Sequence, residues 1–160
     1  MSKENFLENI PSIYSLRQAT ADDVEFVFNV STEAMRPVVD SLNPGKTFDS
    51  DAEFKIYQEK FLPEEIEIIQ SQGIDVGRLR IVRSTESIYI GGIQILPELQ
   101  NRGIGTAILA DLIQESNRAG VPILLEVHEV NTKALSFYKG LGFVELESKE
   151  GKLSMEYRPE

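Results

Sequence analysis

Residues 93–109, Ile-Gln-Ile-Leu-Pro-Glu-Leu-Gln-Asn-Arg-Gly-Ile-Gly-Thr-Ala-Ile-Leu, read as a strand, a sharp loop and a helix. Ile93 and Ile95 alternate as strand residues do. Pro97 closes the strand, because proline has no N–H to donate to a central ladder. Beyond the loop, apolar residues recur at the spacing of an amphipathic helix: Ile104, Ile108, Leu109, Leu112 and Ile113. The stretch therefore predicts a strand–loop–helix unit.

The loop in this unit has the composition of an anion site. Two glycines separated by one residue let the backbone approach a ligand closely. The first helical turn has free amide groups, and together with the helix dipole they favour an anion such as phosphate. These amides belong to Arg102, Gly103, Ile104, Gly105 and Thr106. A tight turn without a ligand is the alternative that the local pattern leaves open.

Two common nucleotide-binding motifs do not match this loop. A Walker loop ends in Gly-Lys-Ser/Thr, whereas Thr106 follows Gly105 directly here. A dinucleotide fingerprint needs a third glycine where Ile108 stands. The loop therefore favours a different class of phosphate-bearing ligand.

Two motifs in succession resemble those of the GNAT acetyltransferase superfamily. Gln100, Gly103 and Gly105 match its Gln/Arg-x-x-Gly-x-Gly/Ala signature, which follows a strand ending in a branched residue, x, Pro. Downstream, residues 131–143 resemble its Asn-x-x-Ala-x-x-Phe/Leu-Tyr-x-x-x-Gly-Phe segment. The resemblance is specific over residues 88–143 and extends by element order to residues 14–157.

The elements taken in chain order predict an α/β fold. We expect a mixed central sheet of about seven strands flanked by helices, which is the acyl-CoA N-acyltransferase (GNAT) fold. Residues 1–160 are expected to form one domain, with residues 1–13 as a polar lead-in. We expect Pro37 to begin a short second helix, because proline suits the first helical position. Ser50 or Asp51 is expected to cap the next helix.

The fourth predicted strand carries a glycine pair, Gly91–Gly92, where its apolar alternation changes phase. One extra residue in a strand is a β-bulge, and glycine commonly occupies it. The resemblance implies that this strand splays from its parallel neighbour and leaves a slot for the pantetheine arm of acetyl-CoA. A glycine kink without a ligand is the alternative.

Composition narrows the functional class. The chain has 160 residues, a net charge of −10 and no cysteine. The acidic balance argues against nucleic-acid binding, and the lack of cysteine excludes a thiol nucleophile. No apolar run approaches membrane-spanning length, and residues 1–13 lack the apolar core of a signal peptide. We therefore expect a cytoplasmic protein without membrane contact. We expect no metal, since His128 is the lone histidine. A homodimer is left open.

The resemblance implies direct acetyl transfer from acetyl-CoA to a primary amine of a small molecule or of a peptide or protein N-terminus. Tyr138 occupies the family's helix tyrosine, the general acid for the leaving thiolate. Glu126 lies in a strand that looks like that of the enzymes acetylating ribosomal-protein N-termini, at the position of their base. We expect its apolar neighbours to desolvate it and make it a stronger base. Tyr89, acting through water, is the rival base, and His128 stands where those enzymes have arginine.

The same resemblance implies the cofactor and acceptor contacts. The acetyl-CoA-binding residues would be Ile93, Ile95, Gln100, Asn101, Arg102, Gly103, Ile104, Gly105, Thr106 and Asn131. The resemblance also implies that Met35 and Arg36 lie in the region of the acceptor wall. By residue type alone, Lys133 is a candidate to reach a phosphate and Arg36 to meet an acceptor carboxylate, with a solvated lysine and a surface arginine as the alternatives. The alternative function is a non-catalytic acyl-CoA-binding sensor or interaction module, which shares the loop but needs neither acid nor base.

Overall fold

Seven strands form one mixed sheet in the computed structural model, which describes residues 13–160. The strands are β1 (Ser15–Gln18), β2 (Ile66–Ser71), β3 (Ile74–Arg83), β4 (Ile88–Ile95), β5 (Ile123–His128), β6 (Val144–Lys149) and β7 (Lys152–Tyr157). Their order is β1-β2-β3-β4-β5-β7-β6, and β4 and β5 are the parallel pair. The mixed seven-stranded sheet is confirmed. The lead-in predicted for residues 1–13 lies outside the described residues except at Ile13.

Within residues 13–160, four α-helices cover the two faces of this sheet. They are α1 (Val24–Leu42), α2 (Ser50–Lys60), α3 (Ile104–Ala119) and α4 (Thr132–Gly140). One apolar cluster joins α3 and Tyr138 of α4 to the sheet, and a second joins Val27 of α1 and Tyr57 of α2 to Ile66 and Ile68. Alternate strand residues therefore face different helix pairs. No helix within residues 13–160 has the length and apolar character needed to span a bilayer.

The strands β4 and β5 separate partway along their length. They pair only where Ile88, Tyr89 and Ile90 lie beside β5, although β4 continues to Ile95. The register of β4 against β3 shifts between Gly92 and Ile90, which leaves Gly91 as the extra residue of a bulge. The predicted bulge and the predicted splaying of this strand are both confirmed. The sheet thus opens into a fork at its centre.

Two local predictions are wrong. Pro37 lies inside α1 and does not begin a new helix. An internal proline removes one helical hydrogen bond. The helix continues through Pro37 because α1 packs against β3 and β4 and buries Val27, Phe28 and Val30, which stabilises it. The cap of α2 is Asp49, which precedes both predicted residues, Ser50 and Asp51. Its carboxylate accepts from the Ala52 N–H at 3.1 Å because Asp49 keeps an extended backbone ahead of the first turn.

Candidate active site

A cleft of about 320 Å³ lies at the fork between β4 and β5. The cleft is lined by the end of β4, the loop into α3 with the first turn of that helix, one side of α4, and Ala34 and Met35 of α1. All the residues that the sequence assigned to cofactor binding are among its lining residues: Ile93, Ile95, Gln100, Asn101, Arg102, Gly103, Ile104, Gly105, Thr106 and Asn131. Tyr138 and Lys133 line the same cleft. The fold therefore brings the two sequence motifs together.

The loop into α3 presents backbone donors to the cleft. Gly103 is the N-cap of α3 and has a φ of 83°, a left-handed conformation that favours glycine. Its carbonyl accepts the Ala107 N–H at 3.0 Å, the first bond of the helix. The N–H groups of Ile104, Gly105 and Thr106 precede that bond, so they have no partner within the helix. The N-cap residue of α3 is a glycine, which has no side chain to cap the helix. An anion in the cleft would satisfy these donors.

Gly105 keeps the cleft open. A Cβ added there would meet only the Ile95 Cδ1 atom, at an ordinary contact distance of 3.8 Å, and its φ is not left-handed. The folded chain itself therefore does not require glycine at this position. Gln100 holds the loop against the strand, since its Nε2 donates to the Ile95 carbonyl at 2.9 Å. The loop is built to leave room beside the first turn of α3.

Tyr138 forms the apolar side of the cleft. Its side chain is 8% exposed, and its ring packs against Phe137 and Phe143 with centroids 5.3 and 5.4 Å away. Burial raises the pKa of Tyr138 to about 12. The phenol is therefore protonated at neutral pH and is able to donate a proton or a hydrogen bond into the cleft.

The raised pKa of Tyr138 predicts a loss of stability in alkali. An unfolded tyrosine ionises near pH 10, whereas burial holds the folded Tyr138 protonated up to about pH 12. The stabilisation is complete below pH 10 and is lost as the pH rises to 12, by about 2–3 kcal/mol in the free energy of unfolding. In denaturant unfolding across this range, the wild type should lose about 2–3 kcal/mol more stability than Tyr138→Phe. Equal pH dependence in both proteins would contradict it, because Tyr14 and Tyr57, whose pKa values are also raised by burial, remain in both.

Glu126 is exposed, and the expectation that apolar neighbours desolvate it is wrong. Ile123, Leu125 and Val127 are the β5 residues that face the core, so Glu126 points to the other face of the sheet. Within residues 13–160 it is not among the lining residues of the cleft. It directly follows Leu125, the last β5 residue paired with β4, so its backbone stands at the fork. Its role as base stays a prediction.

The rival base lies on the same face as Glu126. Tyr89 pairs with Leu124, which alternates in phase with Glu126 and His128 along β5. Tyr89 and His128 are both half-buried. Tyr138 belongs instead to the core cluster on the α3 face. The candidate proton acceptors and the candidate donor therefore flank the fork from opposite faces of the sheet.

Other predicted contacts have structural partners. Asn131 caps α4, because its Oδ1 accepts the Ala134 N–H at 3.3 Å. Arg36 lies over the Phe48 ring, 4.5 Å from its centroid, and is not among the lining residues of the cleft within residues 13–160. Sequence reasoning missed Ala134 and Phe137 as cleft residues. Their spacing with Tyr138 along one face of α4 is the signal that could have found them.

Residues 13–160 hold no group of three or more His, Cys, Asp or Glu side chains placed to bind a metal ion. The geometry of the cleft is that of a site for an extended ligand with an anionic end. The loop into α3, with its free amides, lines one part of the cleft, and the buried phenol of Tyr138 lines another.

Comparison with known proteins agrees with this geometry. The thialysine N-epsilon-acetyltransferase of Mus musculus is 31% identical over 98 residues, which cover 57% of this chain and 58% of the relative. The [ribosomal protein bS18]-alanine N-acetyltransferase of Escherichia coli K12 is 43% identical over 54 residues, 33% of this chain and 36% of the relative. Each match spans less than two thirds of the relative's length.

Solved structures share the fold over most of the chain. The PaiA N-acetyltransferase of Thermoplasma acidophilum, solved in complex with coenzyme A, has a TM-score of 0.69 at 16% identity and covers 91% of this chain and 98% of its own. The ribosomal-protein-S18-alanine N-acetyltransferase of Escherichia coli has a TM-score of 0.60 at 18% identity, and the match covers 91% of this chain and 93% of the neighbour's chain. The model of the acetyltransferase (GNAT) family matches residues 40–143. The chain belongs to the GNAT acetyltransferase family.

Proposed function

We propose that the chain transfers the acetyl group of acetyl-CoA directly to a primary amine of a small molecule or of a peptide or protein N-terminus. The observation that carries this proposal is the fork between β4 and β5, with free helix amides and buried Tyr138 in one cleft. The names of the relatives support it, since both curated relatives are N-acetyltransferases. The neighbour solved with coenzyme A supports the choice of co-substrate.

The lining residues fit acetyl-CoA, which as co-substrate supplies the thioester. The amides of Ile104, Gly105 and Thr106 would hold phosphate oxygens, with Arg102 adding a positive charge. Beyond Ile90, β4 pairs with β3 on one side and no longer pairs with β5 on the other. The backbone groups of Ile93 and Ile95 that face the fork would therefore bind an extended pantetheine arm as a neighbouring strand would. Gln100, Asn101, Gly103 and Asn131 complete this proposed site.

The proposed transfer removes two protons from the acceptor nitrogen and adds one to the departing sulfur. At pH 7, only about one part in 2,500 of an alkylamine with a pKa near 10.4 is neutral, a deficit of about 4.6 kcal/mol. Glu126 or Tyr89, directly or through water, would take the proton that leaves the ammonium nitrogen. That nitrogen, now neutral, would bond to the acetyl carbon as the carbon–sulfur bond breaks, and it would lose a second proton to solvent to leave the neutral amide, while Tyr138 recovers from solvent the proton that it gives. Tyr138 would give its proton to the departing sulfur, and its position on the face opposite Glu126 suits this division of roles.

A non-catalytic acyl-CoA-binding sensor is the second candidate. Two observations favour the sensor. Glu126 is exposed, and it is not among the described residues that line the cleft. A sensor would use the loop and the fork but would need neither Tyr138 as a donor nor a proton acceptor.

We further propose that residues 1–160 act as one acetyltransferase domain in the cytoplasm. The partner would be the amine acceptor, without contact to nucleic acid or membrane, and the net charge of −10 supports the first of these exclusions. A homodimer through the C-terminal strands stays a prediction. The edge strand β6 is exposed along its whole length and offers a surface for it.

A thiol-release assay tests the proposed function. The chain has no cysteine, so a thiol reagent reports only the coenzyme A set free. We expect acetyl-CoA to release thiol when a mixed pool of thiol-free amines, amino acids, polyamines and peptides is present, at a rate proportional to enzyme. Tight acetyl-CoA binding with no amine-dependent thiol would support the sensor instead. Displacement of CoA by ATP or NAD would point to another nucleotide-binding class.

A further inference from the structure

A second cleft, of about 360 Å³, lies on the face of the sheet that α1 and α2 cover. Three cationic side chains line it, those of Lys60, Arg78 and Arg80, against the single carboxylate of Glu65 among its described lining residues. The protein as a whole carries a net charge of −10. A positive cleft in so acidic a chain indicates a site for an anion.

Arg78 is the buried cation of this cleft, whereas Lys60 is exposed, and Arg78 has no acidic partner within residues 13–160. It is 9% exposed, and burial lowers the pKa of its guanidinium, which nevertheless stays charged at neutral pH. Its Nη1 donates to the Ser31 hydroxyl at 3.2 Å and to the Gln94 Oε1 at 2.9 Å. Its Nε is buried with no hydrogen-bond partner among the described residues.

The neighbouring arginines, unlike Arg78, have acidic partners. Arg80 pairs with Glu65 at 2.8 Å, and Arg17 pairs with Asp23 and Asp75, each at 2.8 Å. A buried charge without a counter-ion is costly. The cost is offset if an anion from solution completes the site, because the free edge of a guanidinium matches the two oxygens of a carboxylate.

The glycine pair of β4 leaves space for the Arg78 and Arg80 side chains beside the fork. A Cβ on Gly91 would stand 2.9 Å from the Arg80 Cδ, and one on Gly92 would stand 3.2 Å from the Gln94 Nε2 and 3.5 Å from the Arg78 Nη1. Both arginine side chains therefore lie across β4 where a larger residue would obstruct them. Gln94 lines the first cleft while it accepts from Arg78, and Gly91 lines the second. The hydrogen bond from Arg78 to Gln94 therefore joins a lining residue of the second cleft to a lining residue of the first.

We propose that Arg78 binds the carboxylate of the acceptor, so that the substrate is a small amino acid whose amine reaches the fork beside Gly91 and Gly92. This inference rests on the proposed function and names its substrate class. The cleft volume lies in the range of small-molecule sites. Arg36, the residue that the sequence suggested for this role, is stacked on Phe48 instead.

Matched acid and amide probes test the proposal. The panel contains the α-amino acids, including ornithine, and the ω-amino acids from glycine to 6-aminohexanoate. Each acid is tested together with its carboxamide, and CoA is present throughout. Equilibrium binding is measured first, and acetyl transfer to the same probes second. In the wild type, we expect at least one acid to bind about 10- to 100-fold more tightly than its amide. Arg78→Met should abolish that preference.

Arg83→Met is the matched control. Arg83 pairs with Glu115 and is not among the described lining residues of either cleft, so its loss should leave the acid preference unchanged. The melting temperature and CoA affinity of Arg78→Met should match the wild type. If that variant fails to fold, Arg78→Lys keeps the charge without the planar edge and should still lower acid affinity about 10-fold. The comparison of acid with amide in the wild type needs no variant.

The outcomes separate this proposal from the proposed function. Acid binding that depends on Arg78 without acetyl transfer would uphold the carboxylate site and contradict the transferase. Amides acetylated as well as acids would uphold the transferase and overturn the carboxylate site. Equal binding of acid and amide, binding of no acid in the panel, or preference for inorganic phosphate would also overturn it.

Discussion

Replacing Tyr138 with phenylalanine should lower kcat by about 10²- to 10⁴-fold, the usual contribution of a general acid. Phenylalanine keeps the ring that packs between Phe137 and Phe143 and removes only the hydroxyl. The affinity for acetyl-CoA should therefore change by no more than about twofold. Steady-state kinetics with saturating amine and calorimetric titration with CoA measure the two quantities separately.

Tyr157→Phe is the matched control for this variant. Tyr157 is also a buried tyrosine in the core, but its hydroxyl donates to the Asn117 Oδ1 at 3.2 Å, and it is not among the described lining residues of the cleft. We expect its kcat to equal that of the wild type. A Tyr138→Phe enzyme with wild-type kcat would show that the hydroxyl takes no part in the reaction and that Tyr138 serves packing alone.

Replacing Gly105 with leucine should lower the affinity for CoA by about 100-fold. The added side chain would extend from the first turn of α3 into the space beside Ile95, where the cleft is open. The fold should tolerate it, because an added Cβ meets only the Ile95 Cδ1 at 3.8 Å. Calorimetric titration with CoA measures the affinity, and thermal unfolding without ligand measures the stability.

Gly105→Ala separates the ligand effect from the helix effect. Alanine favours the helix over glycine by up to about 1 kcal/mol, so this variant should be slightly more stable than the wild type while still binding CoA. If leucine at this position leaves CoA affinity unchanged, the ligand does not approach the first turn of α3, and the proposed phosphate site is wrong.

The strand–loop–helix unit could be predicted because its signals are local. Pro97, Gly103 and Gly105 are constrained by backbone chemistry that reads directly from the sequence. The bulge at Gly91 could be predicted for the same reason, since the phase of the isoleucines changes there. The place of β7 between β5 and β6 could not, because that order depends on contacts between segments distant in the sequence.

The acceptor side of the site was less accessible to sequence reasoning. Arg78 and Arg80 alternate with the buried Leu79 and Ile81, a pattern typical of a solvent-facing strand surface. The helices α1 and α2 cover that surface in the folded chain, which buries Arg78. Glu126 was predicted to be buried but is exposed, because its apolar sequence neighbours alternate to the other face of β5. Burial on a two-faced sheet is a tertiary property.

Mass spectrometry of the reaction products tests the central claim most directly. The wild type and Tyr138→Phe are each incubated with acetyl-CoA and the mixed amine pool, and every pool member is examined for an added acetyl group on nitrogen. We predict that the wild type acetylates at least one amine and that the variant yields far less of the same product. Intact amines and intact acetyl-CoA after incubation with a wild type that binds acetyl-CoA would contradict the claim that the fork is a site of acetyl transfer.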